Sequence, residues 1–207
     1  MILALDTSGG ELLACLLDDD GTWQRGAAEP GGRHQARILG VVEELLGGTR
    51  AAQLTAIAVA RGPGSQTGLR VGLATAEGLG FGRRLPLLSL SSLAVAAHRL
   101  VSGGDVVAAV SAGRSNVYAQ VFTASGPQRA MKGGRVRCSI NDMHVQLDVD
   151  PATPVAAEPA VLAGMGGGVV TGSSRNGWEA LAAAAREALL THPVVTYDGL
   201  AGDYGDR

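Results

Sequence analysis

Between Leu54 and Gly82 the chain reads LTAIAVARGPGSQTGLRVGLATAEGLGFG, a strand, a tight turn and a helix in unbroken succession. Thr55 to Ala60 is a short apolar run with β-branched residues, which suits a buried strand, and Gly62-Pro63-Gly64 stops it. Ser65 or Thr67 can cap the helix that follows by accepting a hydrogen bond from one of its first free N–H groups. Leu69, Val71, Leu73 and Leu79 carry apolar surface onward to Phe81. Gly68, Gly72, Ala76 and Gly80 fall four residues apart, in one row along that helix, although each interior glycine costs roughly 1 kcal/mol relative to alanine. A row without side chains admits another backbone at short range, as in small-xxx-small helix pairs. That backbone belongs either to the chain's own sheet or to a second subunit. Arg70, Glu77 and the glycines interrupt the run, so it is no membrane span.

A length of 207 residues with 46% hydrophobic content allows one large or two small domains around a sizeable core. Aromatic residues make up only 3% while glycine numbers 31, so the core is built from Ala, Val and Leu, which favours layered α/β packing. A net charge of -2 argues against this chain gripping a nucleic-acid backbone directly. Cys15 and Cys138 have neither the spacing of a metal knuckle nor the density of a disulfide framework, and Cys15, inside a strand, reads as a small core residue. His34, His98, His144 and His192 form no pair at i and i+4, so no metal site is expected. The chain opens directly on strand-like Ile2 to Leu5 with no basic segment or cleavage site, and the expected location is the cytoplasm.

Met1 to Leu5, Glu11 to Leu17 and Thr22 to Ala28 read as an antiparallel meander, with turns at Asp6–Gly10 and Asp18–Gly21. His34 to Leu46 has the helical period of Ile38, Leu39, Val42, Leu45 and Leu46, ended by Gly47-Gly48. After the central strand and helix come a strand near Leu85 to Leu90 and a helix near Ser92 to Leu100. A boundary is expected at Ser102–Asp105, giving subdomains 1–103 and 104–207, because strand, polar turn and strand recur there as Asp105 to Val110 and Asn116 to Thr123. Ser125 to Ala163 offers few periodic signals, Gly164 to Gly168 is a glycine run, Trp178 to Leu190 reads as a helix, and the tail after His192 is expected to fray.

Asp6-Thr7-Ser8, following the first strand, could present a carboxylate and hydroxyls to a phosphate or Mg²⁺. The competing reading is an Asx turn, in which Asp6 accepts from the backbone of Ser8. Gly62 to Gly68 resembles a phosphate cradle at a helix N-terminus but matches neither the dinucleotide fingerprint nor the Walker A pattern, which needs Gly-Lys before Ser or Thr. Arg114 and Tyr118 read as surface positions that could instead face an interdomain cleft.

Together ILALDTS at the N-terminus, His34 at the first helix, GPGSQTGLRVG with LATAEGLGFG, and VSAGRSNVYAQVF resemble the TsaB (YeaZ) family over roughly residues 1–123. The resemblance implies an α/β, actin-like (ASKHA, ribonuclease H-like) fold of two related subdomains, the class of sugar kinases and Hsp70-type ATPases. It implies a non-catalytic subunit without a cofactor that binds TsaD, which carries the metal and nucleotide site. With TsaE, that pair attaches threonylcarbamoyl to N6 of adenosine 37 in tRNA. TsaE then joins through the pair, tRNA is met only indirectly, and the chain alone forms a homodimer. The implied partner surface lies on the two N-terminal helices: His34, Ile38, Leu39, Val42, Gly68, Leu69, Gly72, Leu73, Ala76 and Gly80. A weak, vestigial nucleotide site would use Asp6, Thr7 and Ser8, and the alternative is a small ATPase or phosphotransferase. The chain departs from the family at Gln66, where an aromatic is usual, at Ser111-Ala112-Gly113 in place of Asp-Ala-Arg, and in its tail at Val195 to Asp198.

Overall fold

A computed structural model describes residues 1–31, 33–47, 50–101, 103–125, 128–165 and 175–191. The glycine run beyond Met165, the Val195–Asp198 departure and the tail after His192 lie outside these residues.

Strands β1 (Ile2–Asp6), β2 (Glu11–Leu17) and β3 (Trp23–Pro30) form the meander, and helix α1 (His34–Leu46) leads through a short 3-10 turn to β4 (Ala56–Ala60). Helix α2 (Gln66–Phe81), β5 (Leu87–Leu90) and α3 (Ser92–Ala97) complete the first half. The sheet runs β3-β2-β1-β4-β5, with β1 antiparallel to β2 and parallel to β4. Alternation along the strands sorts two cores. Leu3, Leu5, Leu12, Leu16, Ile57 and Val59 face α1 and α2, while Ile2, Ala4, Leu13, Cys15, Leu17 and Ala58 face the other way, onto α6 (Gly177–Thr191). Burial pushes the Cys15 thiol well above its ordinary range, as befits a core residue rather than a nucleophile.

The second half repeats the scheme with β6 (Asp105–Ser111), β7 (Asn116–Ser125), β8 (Gln128–Ser139) and β9 (Val155–Ala157) in the order β8-β7-β6-β9, β6 being antiparallel to β7 and parallel to β9. Two short helices, α4 (Met143–Gln146) and α5 (Pro159–Ala163), lie before and after β9. Val107, Ala109, Val117 and Val155 pack with Ile140, Met143 and Val161 on one face, and Val106, Ala108, Tyr118 and Phe122 with α3 on the other. Two meanders, each extended by a strand parallel to its first, make this an α/β protein of the actin-like class.

Two sequence readings change. The stretch 125–163 contains β8, a long edge strand whose mostly exposed residues give no alternation to read. Helix α3 is shorter than the expected Ser92–Leu100, ending at Ala97. A cut at residue 103 separates the sheets but not the cores: α6, from the second half, covers the first sheet, and α3, from the first half, covers the second. The two helices also pack on each other. Helix α6 starts at a capping box in which Asn176 Oδ1 accepts from Glu179 N at 3.0 Å and Glu179 Oε2 accepts from Asn176 N at 3.0 Å. No helix among the described residues is long and apolar enough to cross a membrane.

Candidate functional site

The turn Asp6–Gly10 between β1 and β2 is where the expected site residues meet. Asp6 Oδ1 accepts from Ser8 N at 2.8 Å, which is the Asx turn. Thr7 Oγ1 donates to Gly68 O of α2 at 2.7 Å, and Ser8 O accepts from Ser65 N at 2.8 Å. Gly9 O takes a hydrogen bond from His34 Nε2 at 3.0 Å, the carbonyl fixing that nitrogen as the donor. Gly10 O accepts from Gly31 N at 3.2 Å, and Gly10 N donates to Glu158 Oε2 at 2.6 Å. Thr7 to Gly10 thus hold α1, α2, the end of β3 and the start of α5.

This hub accounts for the glycine row. A Cβ at Gly68 would overlap the Thr7 carbonyl, and one at Gly72 would overlap Thr7 Oγ1. Gly80 faces Leu87 and the Leu85 carbonyl, and Ala76 is fully buried in the same core. Of the two readings that spacing left open, the structure takes the chain's own sheet. Helix α2 begins with Ser65, whose Oγ accepts from Gly68 N at 3.2 Å, so Ser65 and not Thr67 is the cap.

The residues expected on the partner surface divide by burial within this chain. His34, Ile38, Val42, Gly68, Leu69, Gly72, Leu73, Ala76 and Gly80 are all buried against the rest of the chain, because each lies on the stripe of α1 or α2 that faces the sheet. Only Leu39 of that set points outward, 62% exposed. The outer side of α2 carries instead Gln66, Arg70, Ala74 and Gly78, with Phe81 69% exposed.

Between the two sheets lies a cleft of about 850 Å³. Its walls are Ser8, Gly9 and Gly10, the start of α2 at Gly64–Gln66, the β6–β7 turn from Ser111 to Asn116, and Tyr118, Arg137 and Glu158. Arg114 and Tyr118, read as surface positions, both line it. Of the vestigial nucleotide set, Ser8 reaches the cleft while Asp6 and Thr7 do not. Asp6 is 5% exposed and sits behind the turn, beside a space of about 30 Å³ shared with Glu11, Ser92, Arg99 and Glu158. Burial pushes its carboxyl above the ordinary range against the lowering effect of the Ser8 hydrogen bonds. Glu158 is raised too, chiefly by burial, with the Gly10 N–H and the Arg99 charge opposing and Asp6 reinforcing. Arg99 itself pairs with Glu11 at 2.5 Å. Glu158 escaped the sequence reading because it lies in a stretch without periodic signal and meets its partner 148 residues away. Among the described residues no cluster of His, Cys, Asp and Glu is arranged to hold a metal ion.

Comparison with known proteins agrees with the topology. A family model described as TsaD: tRNA N6-adenosine threonylcarbamoyltransferase matches residues 29–172, more than half of the chain. The tRNA threonylcarbamoyladenosine biosynthesis protein TsaB of Haemophilus influenzae is 44% identical over 90 residues, covering 41% of this chain and 38% of that protein. The protein of the same description from Escherichia coli is 38% identical over 122 residues, covering 56% of this chain and 52% of that one. The chain thus spans about half or less of the length of these curated relatives. Among solved structures, YeaZ from Pseudomonas aeruginosa superposes with a TM-score of 0.79 at 27% identity, covering 98% of both chains. With that superposition over nearly the whole chain, and curated relatives of the same kind, the chain belongs to the TsaB/YeaZ family, within the wider family that the TsaD model describes.

Proposed function

We propose that this chain is a subunit of tRNA threonylcarbamoyladenosine biosynthesis that binds TsaD and holds it in its working state without doing chemistry itself. The likeness to YeaZ over 98% of both chains carries the reading. Two features of the molecule support it. The Asp6–Ser8 turn is engaged in internal hydrogen bonds, and Asp6 does not line the cleft, which disfavours the small ATPase or phosphotransferase reading. Helices α1 and α2 share one face of the sheet and leave Leu39 and Phe81 exposed, while Ala74 and Gly78 keep part of the outer α2 surface low enough for close approach.

In this reading TsaD docks on the outer sides of α1 and α2, TsaE joins through the pair, and tRNA is reached only through TsaD. In TsaD's absence two copies of this chain pair through the same face, and the setting is cytoplasmic. Light scattering of the purified chain mixed with TsaD of the same organism tests it, with wild type beside Leu39→Asp. A one-to-one complex that the substitution abolishes is the expected result. Absence of any complex with wild type, or a complex indifferent to Leu39→Asp and to Gly78→Leu, removes the reading or its surface respectively.

A further inference from the structure

Tryptophan is scarce in this chain, two residues in all, and the fold brings both to one place. Trp23 at the start of edge strand β3 and Trp178 in the first turn of α6 meet edge to face, with ring centroids 5.0 Å apart and planes at 68°. Gly26 makes the room, since a Cβ there would overlap the Trp178 ring. Trp178 thus sits half-buried on β3, while Trp23 leans on it and stays 54% exposed. An indole held in this way adds little to the core and offers a flat apolar surface to a second molecule.

Trp23 lines a cavity of about 510 Å³, within the roughly 300–1,000 Å³ of small-ligand sites. Leu190, 69% exposed, lines it from α6, together with Arg175, Arg186, Glu179, Glu187 and His98. Both acids are engaged. Glu179 Oε2 accepts from Asn176 N in the cap of α6, and Glu187 Oε2 accepts from His98 Nε2 at 2.7 Å and from Arg129 N at 3.1 Å. His98 is 3% exposed and burial lowers its pKa, so at neutral pH it adds no charge. Asp20, which feels the Arg186 charge, accepts from Thr22 N through Oδ1 at 2.8 Å. Arg175 is fixed by its Nη1, which donates to His98 O at 3.2 Å. Arg186 lays its stem over Gly21, where a Cβ would come within 2.7 Å of the arginine Cγ. What remains for an occupant is the charge of two positioned guanidinium groups and the bare surface of Trp23 and Leu190.

We propose that this cavity binds a planar aromatic oxyanion, with its ring against Trp23 and its carboxylate or phosphate on Arg175 and Arg186. The guanidinium fork fits either head group, and a preformed indole wall receives a ring with little ordering of its own. Helix α6 covers the face of the first sheet opposite α1 and α2, and no residue lining this cavity lines the cleft between the sheets. The site therefore stands whether or not TsaD docks as proposed above.

The test is isothermal titration of the purified full chain with sodium phenylacetate and with phenyl phosphate at neutral pH and fixed ionic strength, and with phenethylamine as a cation bearing the same ring. Tryptophan emission, followed in parallel, reports occupancy directly because both tryptophans stand at the site. Wild type should bind an aromatic oxyanion saturably, with the emission changing along the same curve, and whichever anion binds more tightly names the head group. Trp23→Ala and Arg186→Ala should each weaken that binding by about tenfold or more, while Arg137→Ala, in the cleft, leaves it unchanged. A wild type that takes up neither anion at millimolar concentration overturns the proposal, as does equal binding of phenethylamine or an affinity that survives both substitutions. Should Trp23→Ala fail to fold, an unchanged affinity in Arg186→Ala, at an exposed position, overturns it equally.

Discussion

The inner and outer sides of α2 carry small residues at the same four-residue spacing for opposite reasons. Inside, Gly68, Gly72 and Ala76 are small because the β1–β2 turn and the sheet leave no room, and Thr7 fills the groove they create. Outside, Ala74 and Gly78 are exposed, and a Cβ at Gly78 would stand in open space. The inner row is a condition of folding. The outer row is free to be a condition of association, and only substitutions that separate stability from pairing can show which positions belong to which.

Gly72→Leu should give the largest effect, a loss of about 3 kcal/mol or more of stability, because the short, buried side chains of Thr7 and Val59 enclose the site and leave no room for the added atoms. Thermal melting would reveal it, and a variant melting like wild type would dissolve the distinction between the two rows. Thr7→Val, nearly the same shape without the donor to Gly68 O, should cost about 1 kcal/mol by urea denaturation. On the outer side the sign reverses: Gly78→Ala should raise the stability of the isolated chain by roughly 0.5–1 kcal/mol through helix propensity alone. Leu39→Asp should leave stability within about 0.5 kcal/mol of wild type while removing the docking proposed above.

The hub also carries a pH signature. An acid whose pKa is higher in the folded than in the unfolded chain binds more protons when folded, so stability falls as pH rises through the interval between the two values. Asp6 and Glu158 are both raised by burial and act in this sense. Exposed Asp19 and half-buried Asp105, lowered mainly by hydrogen bonds to the N-terminal ammonium and to Lys132, act in the other and lose their contribution in acid. Asp6→Asn keeps an acceptor for Ser8 N but removes one raised group, so its advantage over wild type should grow as pH rises from 4 through the shifted Asp6 value. Parallel stability curves for the two proteins between about pH 4 and 8 would count against a strained carboxylate at Asp6.

Local signals were legible wherever the chain itself supplies the stop. The bounds of β2 and α1 follow from the sequence because Gly9-Gly10 and Gly47-Gly48 end the neighbouring patterns. Gly47 adopts φ 57°, which only a residue without a Cβ takes at little cost, and its N–H returns to Glu43 O at 2.9 Å. The repeated meander was visible in outline for the same reason. Strand β8 was not, since an exposed edge strand has no buried face to impose alternation. The role of the glycine row was undecidable from spacing, because four-residue periodicity says that something comes close and not what comes. The resemblance to TsaB turned that ambiguity toward the partner, whereas packing turns it toward Thr7.

By itself the sequence determined the elements, their order and the α/β class, for these rest on periodicity, caps and turn residues within a few positions of one another. It also singled out Asp6–Ser8, His34 and the glycine row as residues that matter. Only the tertiary structure decided that they matter to each other. The turn that unites them makes its hydrogen bonds across 25, 61 and 148 residues. The face of α2 that remains for a partner is whatever the sheet leaves uncovered. Such contacts depend on which surfaces three-dimensional packing brings together, and no local pattern encodes that.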